Sequence, residues 1–214
     1  MNIAILGGTG KEGAGLGARW ALAGHNIIIG SRDEERAKTK AAEMREKTNK
    51  LAIVGHSNLD AARLGEVIVV ALPALGLDAT LPPLREACAG KLVVSTVVPL
   101  TFGGPRLFTP PAAGSSAEEI QALLPDAKVV AAFHHIAAHE LSETEHAIEC
   151  DLLVCGGDAE SKGVVAELGK SMGLRAVEVG ALSNAGPLEG ITAVLATINR
   201  RYKLKNSGIK ITGL

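Results

Sequence analysis

Two places in the chain gather residue types able to do chemistry. At the amino terminus an apolar run, Asn2 to Leu6, passes into Gly8-x-Gly10-x-x-Gly13. In that spacing the first glycine allows a tight turn out of a strand, the second lets backbone approach a pyrophosphate, and the third lets a helix pack closely on the strand. The helix that follows aims its first N–H groups at the phosphates. A chain with 25 glycines among 214 residues produces such a pattern by chance, so its weight comes from its setting. A helical run covers 14–23, Gly24 ends it, and Asn26 to Gly30 reads as a second buried strand, completing one βαβ unit. The second place is the run from His134 to His139, where imidazoles follow directly on an apolar stretch and so stand at a strand end.

The end of the second strand selects between dinucleotides. NAD is usually held there by an Asp or Glu on the ribose 2′-hydroxyl, whereas this strand ends in Gly30-Ser31-Arg32. Ser31 offers a hydroxyl and Arg32 a planar fork of N–H donors to a 2′-phosphate, and Arg36 lies four residues on, on the same helix face. The expectation is therefore NADP(H). Two charge-assisted bonds of about 1.5–3 kcal/mol each favour NADP over NAD by about tenfold to several hundredfold. The plainer alternative makes both arginines part of a solvated helix face.

The elements that position these groups read as an α/β chain, a Rossmann-type doubly wound and mainly parallel sheet with a small C-terminal α/β extension. A charged helix over 34–47 leads to a strand at 51–54, a short helix near 59–64, and an apolar strand from Glu66 closed by Pro73. One further helix separates it from a strand at 91–95, which continues to Val98 and Pro99. Residues 101–118, rich in Gly, Pro and Ser, form a long loop read as part of a second substrate's pocket or a flap over it. A helix at 117–124, strands at 128–133, 150–155 and 174–179, a helix at 160–172 and a final apolar helix at 188–198 complete the pass. We divide the chain into a nucleotide-binding region, 1–130, and an acceptor-site and dimerisation region, 131–214.

Composition narrows the partners. A net charge of −1 with interspersed signs and only five aromatic residues argues against nucleic acid. No apolar run approaches the roughly 20 residues of a membrane span and the start does not read as a leader, so a cytoplasmic protein with small-molecule partners and no membrane is expected. Cys88, Cys150 and Cys155 lack metal or redox spacing and read as small buried hydrophobes; no HExxH occurs, and no metal site is expected.

Several motifs recur together: Gly7-Gly-Thr-Gly10, Gly30-Ser-Arg32, Val93-Val-Ser95, Val98-Pro99, His134 with Ile136, Val154-Cys-Gly-Gly-Asp158, Leu182-Ser-Asn184 and Gly208-Ile-Lys210. With them the chain resembles the NADPH-dependent F420 reductases over essentially its whole length. The same fold recurs in the reductase domain of membrane metalloreductases. The resemblance implies reversible hydride transfer between NADP(H) and the 5-deazaflavin coenzyme F420 by a homodimer. It places Thr9, Gly10, Lys11 and Glu12 at the phosphate loop and Ser31, Arg32 and Arg36 at the 2′-phosphate. The nicotinamide end falls on Leu72, Pro73, Val98 and Ala138, and the deazaflavin lies near His134, Ile136 and the loop from Pro99 to Pro110. This chain departs from the family where it reads His134-His135-Ile136-Ala137 and where Ala74 follows Pro73 in place of a bulkier aromatic. Both departures adjoin the acceptor pocket.

Hydride transfer between two rings needs mainly orientation in a dry slot. As the deazaflavin gains negative charge at its N1/C2 carbonyl end, a donor there stabilises it, which makes His134 the catalytic candidate, by hydrogen bonding or protonation. The alternative is a structural histidine satisfying backbone carbonyls, with His135 the plainer of the pair. Rival functions are reduction of a free flavin or another small acceptor, an imine reductase of the pyrroline-carboxylate type, and a non-catalytic NADPH sensor.

Overall fold

The computed structural model describes every residue from Met1 to Leu214. It opens with β1 (Asn2–Leu6), α1 (Lys11–Leu22) and β2 (Asn26–Ser31), then α2 (Glu34–Thr48), β3 (Ile53–Ser57), α3 (Asn58–Leu64) and β4 (Val67–Val70). Side chains alternate across a strand, so Ile3 and Ile5 of β1 enter one core while Ala4 and Leu6 enter another. Ile27 and Ile29 against Ile28 do the same in β2. Both faces are covered, which is why these strands read as unbroken apolar runs.

Between β4 and β5 (Leu92–Ser95) the chain makes two short helices, α4 (Leu77–Thr80) and α5 (Arg85–Cys88), joined by tight 3-10 turns at Ala74–Gly76 and Pro82–Leu84. The sequence reading expected a single helix here. Pro82 and Pro83 lack N–H donors and their rings exclude the preceding turn, so no continuous helix survives. After the long loop come α6 (Ser116–Leu123), β6 (Lys128–Ala131), α7 (Ala138–Ser142), β7 (Asp151–Gly156), α8 (Ala159–Lys170), β8 (Arg175–Glu178) and α9 (Ala185–Tyr202).

The strand order is β3-β2-β1-β4-β5-β6-β7-β8. The first six strands run parallel in the doubly wound order, with register fixed by pairs such as Ile3↔Ile27 and Ile3↔Val67. β7 is antiparallel to β6, joined through Val130↔Gly156 and Ala131↔Cys155, and β8 is parallel to β7. The boundary expected at residue 130 falls inside β6. β3 lies two residues later than its expected range, because its ladder with β2 begins at Ile27↔Ile53 and runs on through polar His56 and Ser57. Leu51 is instead exposed.

Long-range polar contacts fix the C-terminal region against the first half. The buried Arg19 of α1 donates from Nε to the Leu141 carbonyl at 3.2 Å. Its Nη2 donates to the carbonyls of Glu140, Glu143 and His146 at 2.6, 2.8 and 3.0 Å. Trp20 is fully buried, donates from Nε1 to the Leu168 carbonyl at 3.1 Å, and meets the Phe133 ring edge-on at a centroid distance of 5.3 Å. The buried Asp151 carboxylate takes two bonds from Arg175, at 2.9 and 2.6 Å, and one from the Ile211 N–H at 2.6 Å, which ties the C-terminal tail to β7. The loop after β5 lies against α9, with Phe108 packed over Gly190 and Glu189 accepting the N–H groups of Ser116 and Ala117 at 3.0 and 3.2 Å.

Candidate active site

Six strand ends converge on one cleft of about 880 Å³ outside the carboxyl edge of the sheet. Its floor is the turn after β1. Gly7 adopts φ +75°, open to glycine at little cost, and Gly8 donates to the carbonyls of Ile5 and Gly30 at 3.0 and 3.1 Å. A side chain at Gly13 would stand 2.9 Å from the Gly8 backbone, so α1 sits directly on the turn only because residue 13 is glycine. Gly10 is the N-cap of α1 and supplies no side-chain cap, which leaves the first N–H groups of the helix available to an anion.

At one end of the cleft, Ser31 is buried and its Oγ accepts the Asp33 N–H at 3.2 Å. Asp33, which also lines the cleft, caps α2 by accepting the Arg36 N–H on Oδ1 at 3.2 Å. Arg32 and Arg36 both line the cleft and are exposed. The arginines that meet carboxylates in this protein are Arg63 and Arg175, which leaves these two guanidinium groups free for a phosphate.

The opposite end has apolar walls of Leu72, Pro73, Val97 and Val98, with Thr96, Thr192 and His134 as its polar members. His134 owes its place to Phe133, which turns the chain at φ +66°, a costly conformation for a bulky side chain. The corner is held by the Trp20–Phe133 contact and by bonds from His134 N–H to Ala132 O and from Ile136 N–H to Phe133 O, both 2.9 Å. Thr192 of α9 donates to the His134 carbonyl at 3.1 Å. Burial, with the neighbouring His135, lowers the His134 imidazole to about 3, so it is neutral at physiological pH. His135 is turned the other way, its Nε2 2.9 Å from the Asp151 carbonyl, and serves the junction with β7.

Buried polar side-chain atoms normally have partners. Glu12 Oε1, Asn58 Nδ2 and His134 Nε2 have none, and all three residues line this cleft. Burial raises the Glu12 carboxyl to about 8, against a hydrogen bond with Thr96 that lowers it. A cleft with unmet donors and acceptors, cationic at one end and apolar at the other, suits a dinucleotide.

Of the residues named from sequence, Thr9, Gly10, Glu12, Ser31, Arg32, Arg36, Leu72, Pro73, Val98 and His134 line the cleft. Gly8 and Gly13 lie beneath it, and Pro99 sits between the lining residues Val98 and Leu100. Lys11 and Ala138 line an adjoining groove that shares Thr9 and Gly10 with the cleft. Ile136 lines a separate hollow with Ala137 and Cys150. Sequence reasoning passed over Asn58, Thr96 and Thr192. The first two follow strand tips and carry that positional signal; Thr192 arrives from a helix 58 residues beyond His134 and carries none. No group of three or more His, Cys, Asp or Glu is placed to hold a metal ion, and no helix is long and apolar enough to cross a membrane.

Comparison with known proteins agrees with this geometry. Residues 2–99 match the family model described as NADP oxidoreductase, coenzyme F420-dependent. The chain is 41% identical to the F420-dependent NADP reductase of Methanocaldococcus jannaschii, covering 100% of this chain and 99% of that one. It is 36% identical to the F420-dependent NADP reductase of Methanothermobacter thermautotrophicus, covering 100% and 96%. A crystal structure from Arthrobacter sp. FB24, assigned as an F420-dependent NADP reductase, superposes with a TM-score of 0.86 at 28% identity over 98% of each chain. Likeness that runs from the glycine turn through the His134 corner to the C-terminal tail leaves no part of the chain outside it, and the chain belongs to the F420-dependent NADP reductase family.

Proposed function

We propose that the protein transfers hydride reversibly between NADPH and coenzyme F420, as a cytoplasmic homodimer. The observation that carries this reading is one continuous cleft with free guanidinium groups at one end and an apolar, histidine-edged slot at the other, in a chain akin throughout its length to F420-dependent NADP reductases.

When bound, the two coenzymes supply the hydride donor and acceptor carbons, and the chain supplies placement. The N–H groups at the start of α1, with Thr9, Gly10, Lys11 and Glu12, hold the pyrophosphate; Ser31, Arg32 and Arg36 hold the 2′-phosphate. Leu72, Pro73, Val98 and Ala138 form the dry wall beside the nicotinamide, and Pro99, Ile136 and His134 border the acceptor. Because its imidazole is neutral, His134 acts by donating a hydrogen bond to the carbonyl end where negative charge develops, not as an acid. The region 131–214 carries the acceptor side and the dimer contact. Exposed apolar side chains on α9 and the loop beside it, Val194, Tyr202 and Phe102, support the pairing.

The test is an absorbance assay with NADPH and oxidised F420, with NADH, FMN and FAD in parallel. Loss of deazaflavin absorbance with NADPH and not with NADH is expected. Replacing His134 by Ala should lower kcat by about tenfold to a thousandfold with the NADPH Kd nearly unchanged. A normal turnover number for that variant removes His134 from the mechanism. Reduction of FMN in place of F420 would support the free-flavin reading, for which the small Ala74 and the fully exposed Leu75 at the cleft lip leave room.

A further inference from the structure

Asn58 opens α3 immediately beyond the tip of β3 and is only 6% exposed, although it lines the nucleotide cleft. Starting the helix is not its task. Ser57 caps α3, its Oγ accepting the Asp60 N–H at 3.1 Å. The Asn58 amide reaches instead across the carboxyl edge of the sheet. Its Oδ1 accepts the Gly7 N–H, in the turn after β1, at 3.4 Å. A side chain at Gly30 in β2 would stand 2.8 Å from that same oxygen, so glycine at 30 makes the room in which the amide lies. With Oδ1 turned to a donor, Nδ2 is the free end of the side chain. It is buried and has no acceptor in the protein. A buried N–H group left in that state costs stability, and a bound acceptor would recover the loss.

Position along the cleft identifies the acceptor. The pyrophosphate belongs at the Gly7–Gly10 turn and the first N–H groups of α1, and the 2′-phosphate at Ser31, Arg32 and Arg36. The part of NADP(H) that joins these two anchors is the adenosine ribose. Asn58 is fixed between the same anchors, bonded to Gly7 on one side and packed against Gly30, the residue before Ser31, on the other. A ribose presents uncharged hydroxyl and ether oxygens, which suit a neutral amide donor. Resting on the NADP(H) reading of the cleft, we propose that Asn58 is a further nucleotide-binding residue, which donates from Nδ2 to an oxygen of the adenosine ribose. It adds to affinity for phosphorylated and unphosphorylated dinucleotides alike and leaves the choice between them to Ser31, Arg32 and Arg36.

The experiment is equilibrium titration of wild type and two variants with NADPH, NADH and 2′,5′-ADP, which carries the adenosine ribose and no nicotinamide. Asn58→Ala removes the donor without adding charge. Asn58→Asp keeps the length of the side chain and an acceptor for the Gly7 N–H, so its thermal midpoint without ligand should stay near that of the wild type. In Asn58→Ala the Kd for all three ligands should rise by one common factor, about three- to tenfold, with the NADPH-over-NADH affinity ratio intact. In Asn58→Asp the Kd for NADPH should rise at least as far, because a carboxylate replaces the donor. An unchanged Kd for NADPH in either folded variant would overturn the proposal. A loss confined to NADPH and 2′,5′-ADP would move the contact to the 2′-phosphate, and a loss absent for 2′,5′-ADP would move it to the nicotinamide half; either overturns the ribose assignment. Failure of the wild type to bind both NADPH and 2′,5′-ADP would overturn the NADP(H) reading of the cleft and the assignment with it.

Discussion

Arg32 and Arg36 flank Asp33, whose carboxylate caps α2 through one oxygen. The strand tip thus carries two cations on either side of an acid that is engaged with the helix. Replacing both arginines with Ala should reduce the NADPH-over-NADH ratio of kcat/KM by about tenfold to several hundredfold, with little loss of fold stability because both side chains are exposed. An unchanged ratio would place selectivity elsewhere. Glu12 makes a prediction of a different kind. Folded, it holds its proton up to about pH 8; unfolded, it releases it near 4.5. Between those values the folded state binds more protons than the unfolded, so unfolding free energy falls as pH rises from about 4.5 to about 8 and levels off above. Glu189, raised to about 7 by burial, pulls in the same direction. The difference between wild type and Glu12→Gln in urea melts at about pH 5, 7 and 9 therefore isolates Glu12, and the variant should gain on the wild type at each step upward. Parallel pH profiles would show that Glu12 ionises normally.

At the scale of elements, α7 depends on a residue far from it in sequence. Arg19 meets carbonyls 121 to 127 positions away, and no other side chain donates to those of Glu140, Leu141, Glu143 and His146. Arg19→Ala should cost about 2–4 kcal/mol, because the buried Leu141 carbonyl and three partly buried ones lose a charged donor at once. Hydrogen exchange should quicken across 138–148 while β1 to β5 keep their protection, and uniform quickening would argue for global unfolding instead. This dependence also explains what the sequence could and could not disclose. The β1–α1–β2 unit is legible because its strand runs, glycines and helix period are all local. The strand-tip residues Ser31 and Arg32 follow from those boundaries, and His134 from the apolar run before it, although β6 itself ends at Ala131. α7 has five residues, and its place is fixed by Arg19 rather than by a pattern of its own, so nothing in 138–142 announces it. The single helix expected before β5 fails at Pro82-Pro83, a local signal outweighed in the reading by the apolar content around it. The place of Thr192 beside His134 arises only when α9 has been packed, and no spacing records that.

For the whole molecule, the apolar side chains left on the surface near α9 predict a particle of two chains in sedimentation equilibrium. Val194 is 58% exposed, and Val194→Asp places an unpaired charge in the proposed contact, so the variant should sediment as a monomer at concentrations where the wild type pairs. A dimer indifferent to that change would move the interface elsewhere. One sheet spans the chain, yet the β6–β7 seam rests on two register pairs where the parallel ladders have four or five. Trp20 shares a core with Val130 of β6 and Val154 of β7, is bonded to Leu168 of α8 and is set against Phe133 at the corner that presents His134. It is the one tryptophan of the chain. The indole is therefore a native fluorophore at the joint between the nucleotide half and the acceptor half. Its emission shifts to the red when those halves part and water reaches the ring, and the protein needs no label for that parting to be timed.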